Sequence, residues 1–90
     1  MNKYVVEFLG TMFLVFVIFA TGNWAAIGAA LAIAVFLGGK ISGGAFNPAV
    51  AISLYSAGKL AKADLIPYII VEILGGLAAF FVYKKYVNNA

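Results

Sequence analysis

From Tyr4 to Ala20 the chain runs through apolar residues with one charge, Glu7, and the run closes at Thr21-Gly22-Asn23. A hydrocarbon core of ~30 Å takes about 20 helical residues, so residues 4–22 are predicted as a first membrane span. Trp24 opens a second apolar run at a position suited to the headgroup layer. This run, rich in Ala and Gly, continues to Gly39 and predicts a second span over 24–39. It is short, but small residues let helices approach closely. Lys40 to Phe46 reads as a loop. Asn47-Pro48 then restarts a helix, with Asn at the N-cap and Pro at the first helical position. That helix is expected to run to about Ala57 and stop at Gly58. From Pro48 it would cover only ~15 Å, half the hydrocarbon core. Lys59, Lys62 and Asp64 mark a return to water. Residues 65–86 form the last predicted span, anchored by Tyr83, Lys84, Lys85 and Tyr86.

A half-length apolar helix between two spans predicts a re-entrant segment over 40–57, entering and leaving on the same side. Irregular backbone survives at membrane depth only where protein buries it or water lines it. Ser42, Gly43 and Gly44 suit such an extended, tightly packed approach. The fold class expected is therefore an all-α membrane protein with three transmembrane helices and one re-entrant half-helix, in a single unit over 1–90. The competing arrangement is a plain three-helix protein with residues 38–58 lying on the surface. A signal-peptide reading of the N-terminus is opposed by Glu7, which interrupts its apolar run.

Composition sharpens this. The chain is 66% hydrophobic and 10% charged, with a mean hydropathy of +1.09, whereas soluble domains carry about a quarter charged residues. The net charge of +3 comes from six lysines and no arginine. These lie at segment ends, as interface anchors do, and not as a nucleic-acid patch. There is no cysteine and no histidine, so disulfides, thiol chemistry and ordinary zinc or haem sites are excluded. No nucleophile–base pair stands out. The expectation is no enzyme, no catalytic residue, no metal and no cofactor.

Three stretches in order, "EFLGT" (Glu7 to Thr11), "SGGAFNPAVA" (Ser42 to Ala51) and "YIIVEILGG" (Tyr68 to Gly76), resemble the aquaporin or major intrinsic protein family. The resemblance covers essentially the whole chain. It implies one half-repeat of a fold built from two inverted repeats, each contributing one Asn-Pro-Ala motif to a shared pore. Asn47, Pro48 and Ala49 would then lie at mid-bilayer. A helix N-terminus carries roughly half a positive charge, which repels cations and orients permeating oxygens. The resemblance also implies that Glu7 braces the re-entrant backbone by accepting N–H bonds. Glu72, where the family usually has Gln, is expected to act as a second brace or, alternatively, as a proton relay. Val50 stands where the family's second repeat carries an arginine. Ile27, Val35, Gly44 and Val50 are expected around the constriction, all apolar, which favours small uncharged solutes such as glycerol as well as water. Lys40 is expected as a positive gate residue or, equally, as an interface lysine.

One half-helix fills one leaflet and needs a complement. Lys3, Lys40, Lys59 and Lys62 fall on one side, and Lys84 and Lys85 on the other. That excess sets orientation weakly. An antiparallel homodimer could rebuild one pore in the bilayer, and four such dimers would make an octamer. The alternatives are a different chain supplying the second half, or a non-conducting membrane scaffold. Gly75 with Ala79, and Gly28 with Ala32, are spaced for close helix contacts.

Overall fold

The computed structural model describes residues 1–88 and contains four helices: α1 (Lys3–Thr21), α2 (Trp24–Ser42), α3 (Pro48–Ser56) and α4 (Lys62–Tyr86). Three of them, α1, α2 and α4, are long and apolar enough to cross a membrane. The longest extent is 43 Å, close to the ~40–45 Å of a bilayer with its headgroups.

Local chemistry sets the boundaries. Asn2 caps α1 by accepting from the Val5 N–H at 2.9 Å. Gly22, at φ 55°, ends it, its N–H donating to the Ile18 carbonyl. Asn23 caps α2 by accepting from Ala25 and Ala26 at 3.0 and 2.9 Å. α2 continues to Ser42, three residues past the expected Gly39, because its turn closes only at Gly43, which adopts φ 89° and donates to the Gly39 carbonyl. Lys40 is therefore on a helix and not in a loop. Likewise α4 begins at Lys62, ahead of the expected Leu65. Asp64 sits in its first turn, where a carboxylate favours the helix dipole. α3 spans nine residues, about 13.5 Å at 1.5 Å per residue.

α1 packs on both α2 and α4, and α3 leans on α4. α1 and α4 run in the same direction. At one end Lys3 pairs with Asp64 at 2.8 Å. At the other, Phe19 stacks on Tyr83 with centroids 5.5 Å apart, beside Phe80. Between these ends the contact is made by Glu7 and Thr11 on α1 and by Tyr68, Glu72, Gly75 and Ala79 on α4, all buried. The α4 set recurs every three or four residues, one face of a helix. At Gly75 an added Cβ would lie 2.5 Å from the Phe8 carbonyl oxygen, so only glycine permits this approach. α2 presents Ala30, Ala34 and Gly38 as its buried face. A Cβ added at Gly28 would meet nothing within 4 Å, so the Gly28 and Ala32 pair is open to the surroundings while Gly75 and Ala79 are used inside the chain.

Candidate functional site

The segment between α2 and α4, which includes α3, turns back along the helices and returns to the end it left. Ser42 and Lys62, which bound it, both lie toward the α1 N-terminus. Ser42 bonds to Glu7, and Asp64 in the first turn of α4 bonds to Lys3. Gly43 and Gly44 have positive φ, at 89° and 69°. Phe46 also has positive φ, at 54°, where a bulky side chain is strained by about 1–3 kcal/mol. Two features hold it there. Its N–H donates to Glu7 Oε1 at 2.8 Å. Its ring, only 2% exposed, wedges between Gly10 of α1 and Gly38 of α2, where added Cβ atoms would collide with or crowd it.

Glu7 is the organising group. Its carboxylate is fully buried. Oε2 accepts from Ser42 Oγ at 2.7 Å and from the Ala45 N–H at 3.1 Å, and Oε1 accepts from Phe46. Ser42 Oγ in turn accepts from the Gly44 N–H at 3.2 Å. The Tyr68 hydroxyl donates to the Ser42 carbonyl at 2.6 Å. Backbone that cannot bond to a neighbouring strand or helix is thus satisfied by side chains from α1 and α4, as a low-dielectric setting requires.

The product is an exposed, Asn-capped helix start. Asn47 is extended, at φ −159°, and its Oδ1 accepts from the Ala49 N–H at 2.8 Å. Pro48 takes the first helical position, where its missing N–H costs nothing. The neighbouring Phe46 ring reaches Gly10, seven residues beyond Lys3 and so about 10 Å along α1, a helix of about 28 Å. The loop leading into α3 is thus packed against α1 between Glu7 and Gly10, and Asn47 and Ala49 remain exposed.

The other predicted residues are partly brought together. Gly44 lies against Val35, whose Cγ2 is 3.4 Å from where a Cβ on Gly44 would be. Val35 and Val50 are each about two-fifths exposed. Ile27 does not join them: eight residues of α2 put it about 12 Å from Val35 along the axis. The four do not form one ring within a single copy. Lys40 is exposed on the last turn of α2, where its charge favours the helix C-terminus. Glu72 is buried beside Glu7, and no donor among the described residues reaches either of its oxygens.

Sequence reasoning did not reach Phe46, Gly10, Gly38 or Tyr68. Gly10, Phe46 and Tyr68 lie inside the quoted stretches, but nothing in the pattern says that a ring needs the space over two glycines. It also missed the cluster in which Asp64 accepts from Lys3 at 2.8 Å and from the Tyr4 hydroxyl at 2.6 Å. A groove of about 470 Å³ opens between α1 and α2, lined by residues including Leu9, Phe13, Leu37 and Phe46, with no polar side chain to hold a hydrophilic solute.

This arrangement, a side-chain-braced loop leading into a short Asn-Pro-Ala helix between apolar spans, has relatives. The Major intrinsic protein family model matches residues 1–90. The chain belongs to the major intrinsic protein family. It is 41% identical over 97 residues to glycerol uptake facilitator protein-like 6 of Lactiplantibacillus plantarum, covering 98% of this chain and 45% of that protein. It is 37% identical over 94 residues to aquaporin Z of Photorhabdus laumondii, covering 88% of this chain and 41% of that protein. Aquaporin AqpM of Methanothermobacter thermautotrophicus is 41% identical over 68 residues, 71% of this chain and 28% of its own length. The chain thus spans less than half the length of these major intrinsic proteins. No solved structure matches it. Family membership and the three apolar helices make it an integral membrane protein.

Proposed function

We propose that this chain forms half of a passive channel for water and small uncharged solutes such as glycerol, completed by a second, inverted copy. The observation that carries the reading is the exposed, positively polarised start of α3, reached through a loop that Glu7 braces against α1. With Oδ1 of Asn47 engaged in its own cap, the amide N–H groups are the part left to bind a permeating oxygen. A cation meets the positive end of the helix dipole and is disfavoured. Relatives named as aquaporins and a glycerol uptake facilitator support the solute class.

α3 occupies one leaflet, so a counterpart from the opposite leaflet is needed to face it. Lys3, Lys40, Lys59 and Lys62 against Lys84 and Lys85 is a small bias, which permits both orientations. Four such antiparallel dimers would make an octamer. In this reading Lys40 supplies positive potential near each mouth, in the absence of any arginine. Val35, Gly44 and Val50 give the passage its apolar wall, and Ile27 contributes further along it.

The test is solute flux into liposomes holding purified protein, paired with side-specific labelling of both termini. Faster water or glycerol equilibration than in protein-free vesicles, with both orientations labelled, is expected. Protein-free rates would favour a non-conducting scaffold. Conduction with a single orientation would reject the inverted copy and require a different second half.

A further inference from the structure

Glu72 is the buried group that the braced loop leaves unused. We infer that Glu7 and Glu72 together form one buried proton-binding site, with the proton carried by Glu72 and directed at Glu7 Oε1.

The lone pairs of Glu7 show where that proton goes. An ionised carboxylate offers about four acceptor positions. On Glu7, Oε2 is filled twice, by Ser42 Oγ and the Ala45 N–H, and Oε1 once, by the Phe46 N–H. One position on Oε1 remains. The Glu72 carboxyl lies against Glu7 from α4, is 1% exposed, and has no donor of its own. Two bare anions buried side by side there would repel each other. A proton on Glu72 fills the last position on Glu7 and removes one of the charges. Thr11 Oγ1, one turn beyond Glu7, is also buried without a partner, so it does not supply the missing donor.

Among the described residues no charged neighbour does this job instead. On α1 Lys3 pairs with Asp64 of α4, and Tyr4 also donates to Asp64. On α4 the Tyr68 hydroxyl is committed to the Ser42 carbonyl. On α2 Lys40 is exposed, and on α3 Tyr55 is 37% exposed. A bound metal cation would need space for several oxygens. The close approach at Gly75, 2.5 Å and 3.3 Å from a hypothetical Cβ to Phe8 O and Met12 N, presses α1 and α4 together one turn away. A proton needs no such space. Because Glu7 grips the loop that positions Asn47, loss of this proton would set a second anion against that grip, so the site would link pH to loop order.

The whole chain has three acidic side chains, Glu7, Asp64 and Glu72, which makes infrared spectroscopy decisive. Wild type, E72Q and D64N would be compared in liposomes at neutral pH. The expected result is a protonated-carboxyl C=O stretch in wild type, retained in D64N and lost in E72Q, whose amide can still donate to Glu7. Absence of the band from wild type, or its survival in E72Q, would overturn the proposal. So would a band seen in choline buffer and abolished by sodium, since that would mean a cation occupies the site. None of these readouts depends on conduction, so failure of the channel reading would be seen separately.

Discussion

Truncating Glu7 to Ala should be among the most damaging single changes in this chain. The substitution removes three hydrogen bonds to a buried carboxylate, at 2.7, 3.1 and 2.8 Å. Bonds to charged groups contribute about 1.5–3 kcal/mol each, and an abandoned buried donor costs about 1–3 kcal/mol. Ser42 Oγ can turn to the Gly38 carbonyl, already 3.4 Å away, but the Ala45 and Phe46 N–H groups have no alternative acceptor at hand. Two stranded backbone donors, less the relief of no longer burying a charge, give a loss of about 3–4 kcal/mol. That is at least two orders of magnitude in the folding equilibrium. Phe46 would also lose half of what holds it at positive φ. The measurement is reversible unfolding in mixed detergent micelles for wild type, Glu7→Ala and Ser42→Ala. Ser42→Ala keeps both backbone bonds and should cost less. A Glu7→Ala loss under about 1 kcal/mol, or equal to that of Ser42→Ala, would refute the view that the carboxylate organises the loop.

Other expectations follow from the same geometry. Gly75→Val should separate α1 from α4, because its Cβ would strike backbone, and overpacking of this kind costs about 1–3 kcal/mol or more; Gly28→Val, in open space, should leave unfolding unchanged. Phe46→Ala empties the wedge between Gly10 and Gly38 and should cost about 3–5 kcal/mol in the same unfolding assay, less any strain relieved at its φ. Asn47→Asp should weaken discrimination against cations in liposome flux, because an anion there opposes the helix dipole; unchanged selectivity would remove the α3 start from the permeation path. Lys40→Ala should raise cation conductance in planar bilayers with assembly intact, and equal conductance would leave Lys40 only as a favourable charge at the end of α2.

Much of the architecture is local and was therefore legible in the residues. Apolar runs of span length, a Trp and a Tyr-Lys-Lys-Tyr anchor, and the Gly and Asn punctuation at 22–23 are each decided by neighbours within a turn or two. The Asn47-Pro48 start was readable for the same reason, since both the cap and the proline act within the first turn of α3. Even there the ends shifted. α2 reached Ser42 and α4 began at Lys62, because polar residues that look like loop find partners in Glu7, Lys3 and Tyr4.

What only the tertiary structure decided is how distant residues share one small volume. Glu7 could be expected to brace a backbone by resemblance, but which donors it takes depends on a fold that brings residues 7, 42, 45 and 46 together. The positive φ of Phe46 has no signature in composition, since it is imposed by a ring fitting over Gly10 and Gly38. Periodicity along a chain reports which face a residue takes on its own helix. It does not report the depth at which two helices meet, and at this site depth determines whether a carboxylate finds backbone, another carboxylate or water.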